Sequence, residues 1–263
     1  MTKAAVHLGV DHRGIATVTL HRPEKHNAFD DLIIAQLHKT FDTIAADSSV
    51  CAVVLASQGK SFSAGADLGW MQRMADYDYA ANLADARALA GMLHALYSLP
   101  QPTIARVQGA AFGGAVGLVS CCDMAVASTE ASFSLSEVKI GLIPATISPY
   151  VIRAIGERSA RRFFITGERF DSAQALQIGL ISHVSRAENL DNALEAVLQQ
   201  LLHNGPGAMR ASKQLVSDVS GRTIDQALLD ETCQRIAAIR VSQEGQEGLK
   251  AFLQKRSPQW QKD

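Results

Sequence analysis

Two glycine-rich turns stand out along this chain. Phe62-Ser63-Ala64-Gly65-Ala66-Asp67-Leu68 follows the apolar run Val50 to Ala56, and Gly109-Ala110-Ala111-Phe112-Gly113-Gly114-Ala115 follows Thr103 to Val107. Each apolar run reads as a buried strand, and each turn opens onto a helical pattern. A strand–turn–helix junction of this kind leaves backbone N–H groups unpaired at the helix start. Two such groups aimed at one point make an oxyanion hole. A third segment, Phe133-Ser134-Leu135-Ser136-Glu137-Val138-Lys139, supplies a carboxylate, Glu137, able to move a proton. The combination points to chemistry through an enolate.

Around these turns the pattern alternates. Val6 to Val10 and Ile15 to Leu20 read as strands joined by the turn Asp11-His12-Arg13-Gly14. His21 to Phe29 is a polar loop. Ile34, Leu37, Phe41 and Ile44 recur at helical spacing within Asp31 to Asp47. Ala80 to Leu99 is a long helix stopped by Pro100 and Pro102, and Gly113 to Cys122 reads as helix despite its glycines. Met124 to Ala127 and Ser132 to Leu135 read as strands. From about Thr146 onward nearly everything is helical, apart from a short strand at Ile181 to Val184. The expected helices there are Asn189 to His203, Pro206 to Val219, Thr223 to Val241 and Glu244 to Leu253. Strands alternating with helices make the fold class α/β. The expected division is a core over residues 1–200 and a helical C-terminal region over 201–263.

Composition narrows the function. A length of 263 residues and 47% hydrophobic content suit a globular protein with a sizeable core, and a net charge of -1 gives no general affinity for nucleic acid or anionic membrane. No run approaches the ~18 apolar residues of a membrane helix. Met1-Thr2-Lys3 leads straight into the first strand pattern, so no signal peptide is expected. Cys51, Cys121, Cys122 and Cys233 fit no metal spacing and read as small buried hydrophobes in a reducing compartment, which makes the expected location cytoplasmic. The histidines show no ligand spacing, so no metal is expected. Gly113-Gly114 is not a dinucleotide-binding loop.

Several motifs in order resemble the crotonase superfamily, the enoyl-CoA hydratases and isomerases. They are His21-Arg22-Pro23-Glu24-Lys25-His26-Asn27-Ala28, Ser63 to Leu68, Gly109 to Gly114, Cys122-Asp123-Met124-Ala125, Ser136-Glu137 with Gly141-Leu142-Ile143-Pro144, Ala173 to Leu180, and Glu247 to Phe252. The resemblance spans about Val6 to Pro258. It implies a crotonase-like spiral of ββα units with a helical C-terminal trimerisation region, giving a homotrimer or a dimer of trimers (a hexamer). Within the superfamily, Phe62 to Met71, Ser120 to Ala125 and Ser134 to Ala145 are most like the bacterial methylglutaconyl-CoA hydratases of leucine and isovalerate catabolism.

The resemblance also implies roles. The thioester oxygen would rest on the N–H groups of Ala66 and Gly114, whose hydrogen bonds strengthen as an enolate forms. Glu137 would handle the proton at the α or β carbon. The second family glutamate would fall at Gly117, where this chain has no carboxylate. Glycine there leaves room, which predicts a pocket wide enough for a β-methyl branch. Ser120, one turn on, could hold a water, although helix packing is its simpler role. Lys25, Ala28, Ala64, Asp67 and Leu68 match positions around the CoA arm, and Phe252 and Lys255 match a segment that can reach a neighbouring subunit's CoA. His26 reads more simply as a surface residue. Trp70, Lys139 and Pro144 fall near the acyl pocket, and Lys139 or Arg153 could meet a second substrate carboxylate.

The resulting expectation is a hydro-lyase that hydrates an α,β-unsaturated acyl-CoA, with 3-methylglutaconyl-CoA the first substrate choice. CoA is part of the substrate, and no separate cofactor is expected. The alternatives are a Δ3,Δ2-enoyl-CoA isomerase of fatty acid metabolism using Glu137 alone, and a non-catalytic CoA- or RNA-binding homologue. The absence of a basic stripe counts against RNA, and retention of Glu137 counts against a dead scaffold.

Overall fold

The computed structural model of the chain describes residues 5–261. The reading of Met1 to Lys3 therefore lies outside the described residues. β1 (Val6–Val10) and β2 (Ile15–Leu20) form an antiparallel hairpin whose turn is held by Asp11, which accepts the N–H groups of Arg13 and Ile15 at 2.9 Å each. α1 (Asp31–Ala46) starts where the Asp30 carboxylate accepts the Ile33 N–H, and it turns Ile33, Ile34, Leu37, Phe41 and Ile44 inward. β3 (Ala52–Ser57) is buried at every position, as a parallel strand covered on both faces must be.

α2 (Leu68–Ala75), α3 (Tyr79–Tyr97), β4 (Thr103–Val107), β5 (Ala111–Phe112), α4 (Gly114–Cys121), β6 (Met124–Ser128) and β7 (Ser132–Ser134) follow. A short 3-10 segment at Glu137–Ile140 leads to α5 (Ser148–Thr166), β8 (Arg169–Asp171), α6 (Ser172–Gln177) and β9 (His183–Ser185). Four helices complete the described chain: α7 (Leu190–Leu202), α8 (Pro206–Val219), α9 (Gln226–Val241) and α10 (Gln243–Leu253).

The main sheet has the order β1-β2-β3-β4-β6-β9, parallel from β2 to β9. Side chains alternate across it. Val18, Leu20, Val53, Leu55, Ala105 and Val107 join α1, α3 and α4 in the larger core. Ala52, Val54, Ile104 and Val126 face the other way, against Leu190, Leu194 and Leu198 of α7.

A second sheet, β5-β7-β8, is where the sequence expectation needs correcting. Arg169–Asp171 lies in the region read as helical, yet it pairs antiparallel with β7. Phe170 then stacks 5.5 Å from Phe133 and 4.1 Å from Phe163. That pairing is between distant segments and leaves no local periodicity to read. The last strand begins at His183 rather than Ile181, because its register is set by Val126 to Ser128.

The C-terminal helices bury little. Leu228 is the one buried residue of α9, while Leu229, Ile236 and Val241 are exposed, as are Leu249, Phe252 and Leu253 of α10.

Candidate functional site

Parallel strands deliver their C-terminal loops to one edge of the sheet. The loops after β2, β3 and β4 meet there and are tied by side chains. Asn27 adopts φ 53, is buried, and donates from Nδ2 to the carbonyls of Gln58 at 2.7 Å and Ser61 at 2.9 Å. Its Oδ1 accepts the Arg22 N–H at 2.8 Å. Gln108 Nε2 donates to Ser57, Gly59 and Ser61 carbonyls at 3.1 Å each. Ser63 exchanges backbone hydrogen bonds with Ala110 and Phe112, and Phe29 does so with Gly65 and Asp67.

These ties bring the two glycine turns together. Gly65 has φ 89, and a Cβ there would lie 2.7 Å from the Phe112 carbonyl oxygen, so only glycine fits. Gly114 is equally confined, with Phe29 Cζ 2.6 Å from where its Cβ would be. Phe29 thus touches Gly114 and bridges Ala66. The Gly113 N–H is spent on the Ser134 carbonyl at 2.8 Å. The N–H groups of Ala66 and Gly114 have no hydrogen-bond partner among the described residues. They are free donors on adjoining turns, one of them at the start of α4.

Glu137 stands against this pair. Its Oε1 is 3.3 Å from where a Cβ on Gly113 would be, and its Oε2 is buried with no hydrogen bond. Burial holds its pKa above the ordinary carboxylate value. A carboxyl beside two free N–H donors is the equipment for moving a proton at a carbon next to a carbonyl whose oxygen takes up charge.

The other expected residues divide. Lys25 and Asp67 pair with each other at 2.9 Å, and Asp67 also accepts from Arg22 and caps α2 through the N–H groups of Gly69 and Trp70. The hydrogen bond from Lys25 holds the Asp67 pKa below its usual value. Asp67 is therefore a buried acid that orients Lys25 in the loop expected to face CoA. Ala28 is buried in the same loop, and Ala64 and Leu68 are exposed at its rim. His26, read as a surface residue, adopts φ 50 and is tied by its ring to Ser61 at 3.1 Å. Trp70 joins the larger core: it is 3% exposed, and its indole N–H donates to Asp85 at 3.2 Å.

Pro144 is buried, and Lys139 is exposed with its stem along Gly167. Arg153 is engaged elsewhere, donating to the Tyr97 hydroxyl at 2.9 Å. Phe252 and Lys255 are exposed at the end of α10. The room expected at Gly117 is absent, because Ile147 fills it: a Cβ on Gly117 would fall 2.7 Å from Ile147 Cβ. Sequence reasoning passed over Asn27, Phe29, Gln108 and Ile147. Asn27 alone carried a signal, since asparagine tolerates the left-handed region that ends this loop.

A cavity of about 710 Å³ between α8 and the start of β4 and β6, lined by Tyr97, Asp123, Met209 and Lys213, lies at the opposite end of the strands. The free donors and the buried carboxylate, not cavity size, locate the site.

The model of the enoyl-CoA hydratase/isomerase family matches residues 11–263. The chain belongs to that family. It is 33% identical over 246 residues to the 2,3-dehydroadipyl-CoA hydratase of Escherichia coli, covering 93% of this chain and 94% of that one. It is 30% identical over 251 residues to the trans-2-decenoyl-[acyl-carrier-protein] isomerase of Streptococcus mutans, covering 94% of each. An enoyl-CoA hydratase structure from Shewanella pealeana superimposes with a TM-score of 0.94 at 47% identity, covering 98% of this chain and 97% of the other. The α/β crotonase fold is thereby established for an enoyl-CoA hydratase/isomerase-type enzyme. No helix of the described residues is long and apolar enough to cross a membrane.

Proposed function

We propose that this protein hydrates an α,β-unsaturated acyl-CoA using Glu137 as its only carboxylate. The observation that carries this reading is the Glu137 carboxyl held 3.3 Å from a Cβ position on Gly113, beside the free N–H groups of Ala66 and Gly114. In the proposed sequence the thioester oxygen accepts both N–H groups. Glu137 takes a proton from water as its oxygen bonds to the β carbon, and the electron pair of the double bond moves onto the thioester oxygen. The protonated carboxyl then returns that proton to the α carbon, which restores Glu137 and completes the addition of one water. Burial suits it to both halves, because a raised pKa brings the acid and base forms closer in energy at neutral pH.

3-Methylglutaconyl-CoA is the substrate we assign. The support is the likeness of Phe62 to Met71 and Ser134 to Ala145 to hydratases of that thioester. Lys139 adds to it, as an exposed cation two residues from Glu137 with no ion pair among the described residues. Lys25, Phe252 and Lys255 are the groups assigned to CoA, the latter two across a subunit boundary in a homotrimer. We place the enzyme in the cytoplasm, in keeping with its free thiols.

The single carboxylate also favours a second reading, isomerisation of a 3-enoyl thioester, in which Glu137 removes a proton at one carbon and returns it at another. Incubation with crotonyl-, 3-hexenoyl- and 3-methylglutaconyl-CoA, with products weighed by mass spectrometry, separates the two. Hydration adds the mass of one water, and isomerisation leaves the mass unchanged. Gain of water on 3-methylglutaconyl-CoA, faster than on crotonyl-CoA, is expected. Turnover of 3-hexenoyl-CoA alone, without mass change, establishes the isomerase instead.

A further inference from the structure

We infer that Ile147 is the specificity-determining residue that confines this site to one carboxylate. The inference rests on the enoyl-CoA reading of Glu137, and it starts from the surface of α4. Gly117 follows Gly114 by three residues and the N-cap Gly113 by four, which places it one turn on along the same side of α4, about 5–6 Å away. Side chains from elsewhere cover that face. Glu137 covers its first end, with Oε1 3.3 Å from a Cβ position on Gly113. Ile147 covers the next turn, with its Cβ 2.7 Å from a Cβ position on Gly117, its Cγ2 closer still, and Leu93 Cδ2 at 3.7 Å.

The Glu137 carboxyl and the Ile147 side chain thus cover successive turns of one glycine-lined stretch. Ile147 is 2% exposed and stands immediately before α5, so its backbone is fixed by the helix that follows. The contact at Gly117 involves Ile147 Cβ itself, which no change of rotamer can move. A side chain on residue 117 therefore cannot enter while Ile147 is there. A branched aliphatic group offers a water neither donor nor acceptor, so this wall gives the attacking water no second ligand. Glu137 is left to perform both proton transfers.

The test is a two-residue cycle. Gly117→Glu alone overpacks the strip and lowers Tm by roughly 4–10 °C. Ile147→Gly alone opens the space, at a position whose φ of -87 and ψ of -17 glycine accepts. The double variant places a carboxylate where Ile147 was. It should melt above Gly117→Glu and hydrate crotonyl-CoA at least ~10-fold faster than either single variant, a coupling that independent sites do not show. Its products from 3-hexenoyl-CoA should shift from isomer toward hydrate, which a merely structural role for Ile147 would not cause. The proposal is overturned if Gly117→Glu alone matches the double variant in Tm and rate, or if the double variant is no better than Gly117→Glu in either. A wild type that leaves every enoyl thioester unchanged overturns the parent reading as well. An active wild type with an unimproved double variant overturns the role of Ile147 alone.

Discussion

Glu137 presses its carboxyl against the backbone of Gly113, where a Cβ would lie 3.3 Å from Oε1. The next residue, Gly114, offers one of the two free N–H groups. The Glu137 carboxyl and the free Gly114 N–H therefore lie beside the same turn, as the proposed proton transfer requires. Glu137→Gln keeps the shape and removes the base. Turnover should fall by ~100-fold or more while acyl-CoA binding persists. Steady-state kinetics paired with calorimetric titration of a CoA thioester check this, and near-normal turnover removes Glu137 from the mechanism.

The pH dependence follows from burial. Burial raises the Glu137 pKa above 4.5, so the folded protein keeps a proton there that the unfolded chain gives up. Between those two values stability falls as pH rises, and at neutral pH the buried charge is a cost. Glu137→Gln should melt above wild type at neutral pH, with the difference vanishing below 4.5. The rising limb of kcat/KM should likewise have its midpoint above 4.5, since the base must be ionised. A variant less stable than wild type at neutral pH contradicts the assignment.

Asp67 has the opposite sign. Its hydrogen bond from Lys25 lowers its pKa below 3.8, so its contribution is present above that value and lost as pH falls through the lowered one. Asp67→Ala removes the α2 cap and the Lys25 partner together and should cost about 1–3 kcal/mol at neutral pH. Urea unfolding at neutral and acid pH tests this. A cost that does not shrink in acid means the carboxylate charge is not what matters.

Much of the fold was legible because it is written locally. The Ile34-Leu37-Phe41-Ile44 stripe and the buried run of β3 each carry their own period, and α8 fell at Pro206 to Val219 as expected. β8 was not legible, because Arg169–Asp171 becomes a strand only through its partner β7. The same distinction applies at the site. The turns at Ala66 and Gly114 follow from glycine spacing, whereas the filling of the Gly117 space depends on Ile147, thirty residues away in sequence and visible only in three dimensions.

The exposed apolar residues of α9 and α10 call for a partner. Leu229, Ile236 and Val241 on a helix that buries only Leu228 are better explained by a second copy than by solvent. Light scattering should give a mass three times, or six times, the 28.2 kDa of one chain. Ile236→Asp should shift the population toward monomer. A monomer at micromolar concentration in the wild type contradicts the trimer.

On the proposed reading, one half-buried carboxylate, Glu137, beside two free N–H groups adds water to an enoyl thioester. Incubation of 3-methylglutaconyl-CoA with wild type and with Glu137→Gln in oxygen-labelled water tests it most directly. The predicted result is a wild-type product carrying one labelled oxygen on the β carbon, and no labelled product from the variant at matched enzyme and time. An unlabelled product, or equal labelling by both proteins, contradicts it.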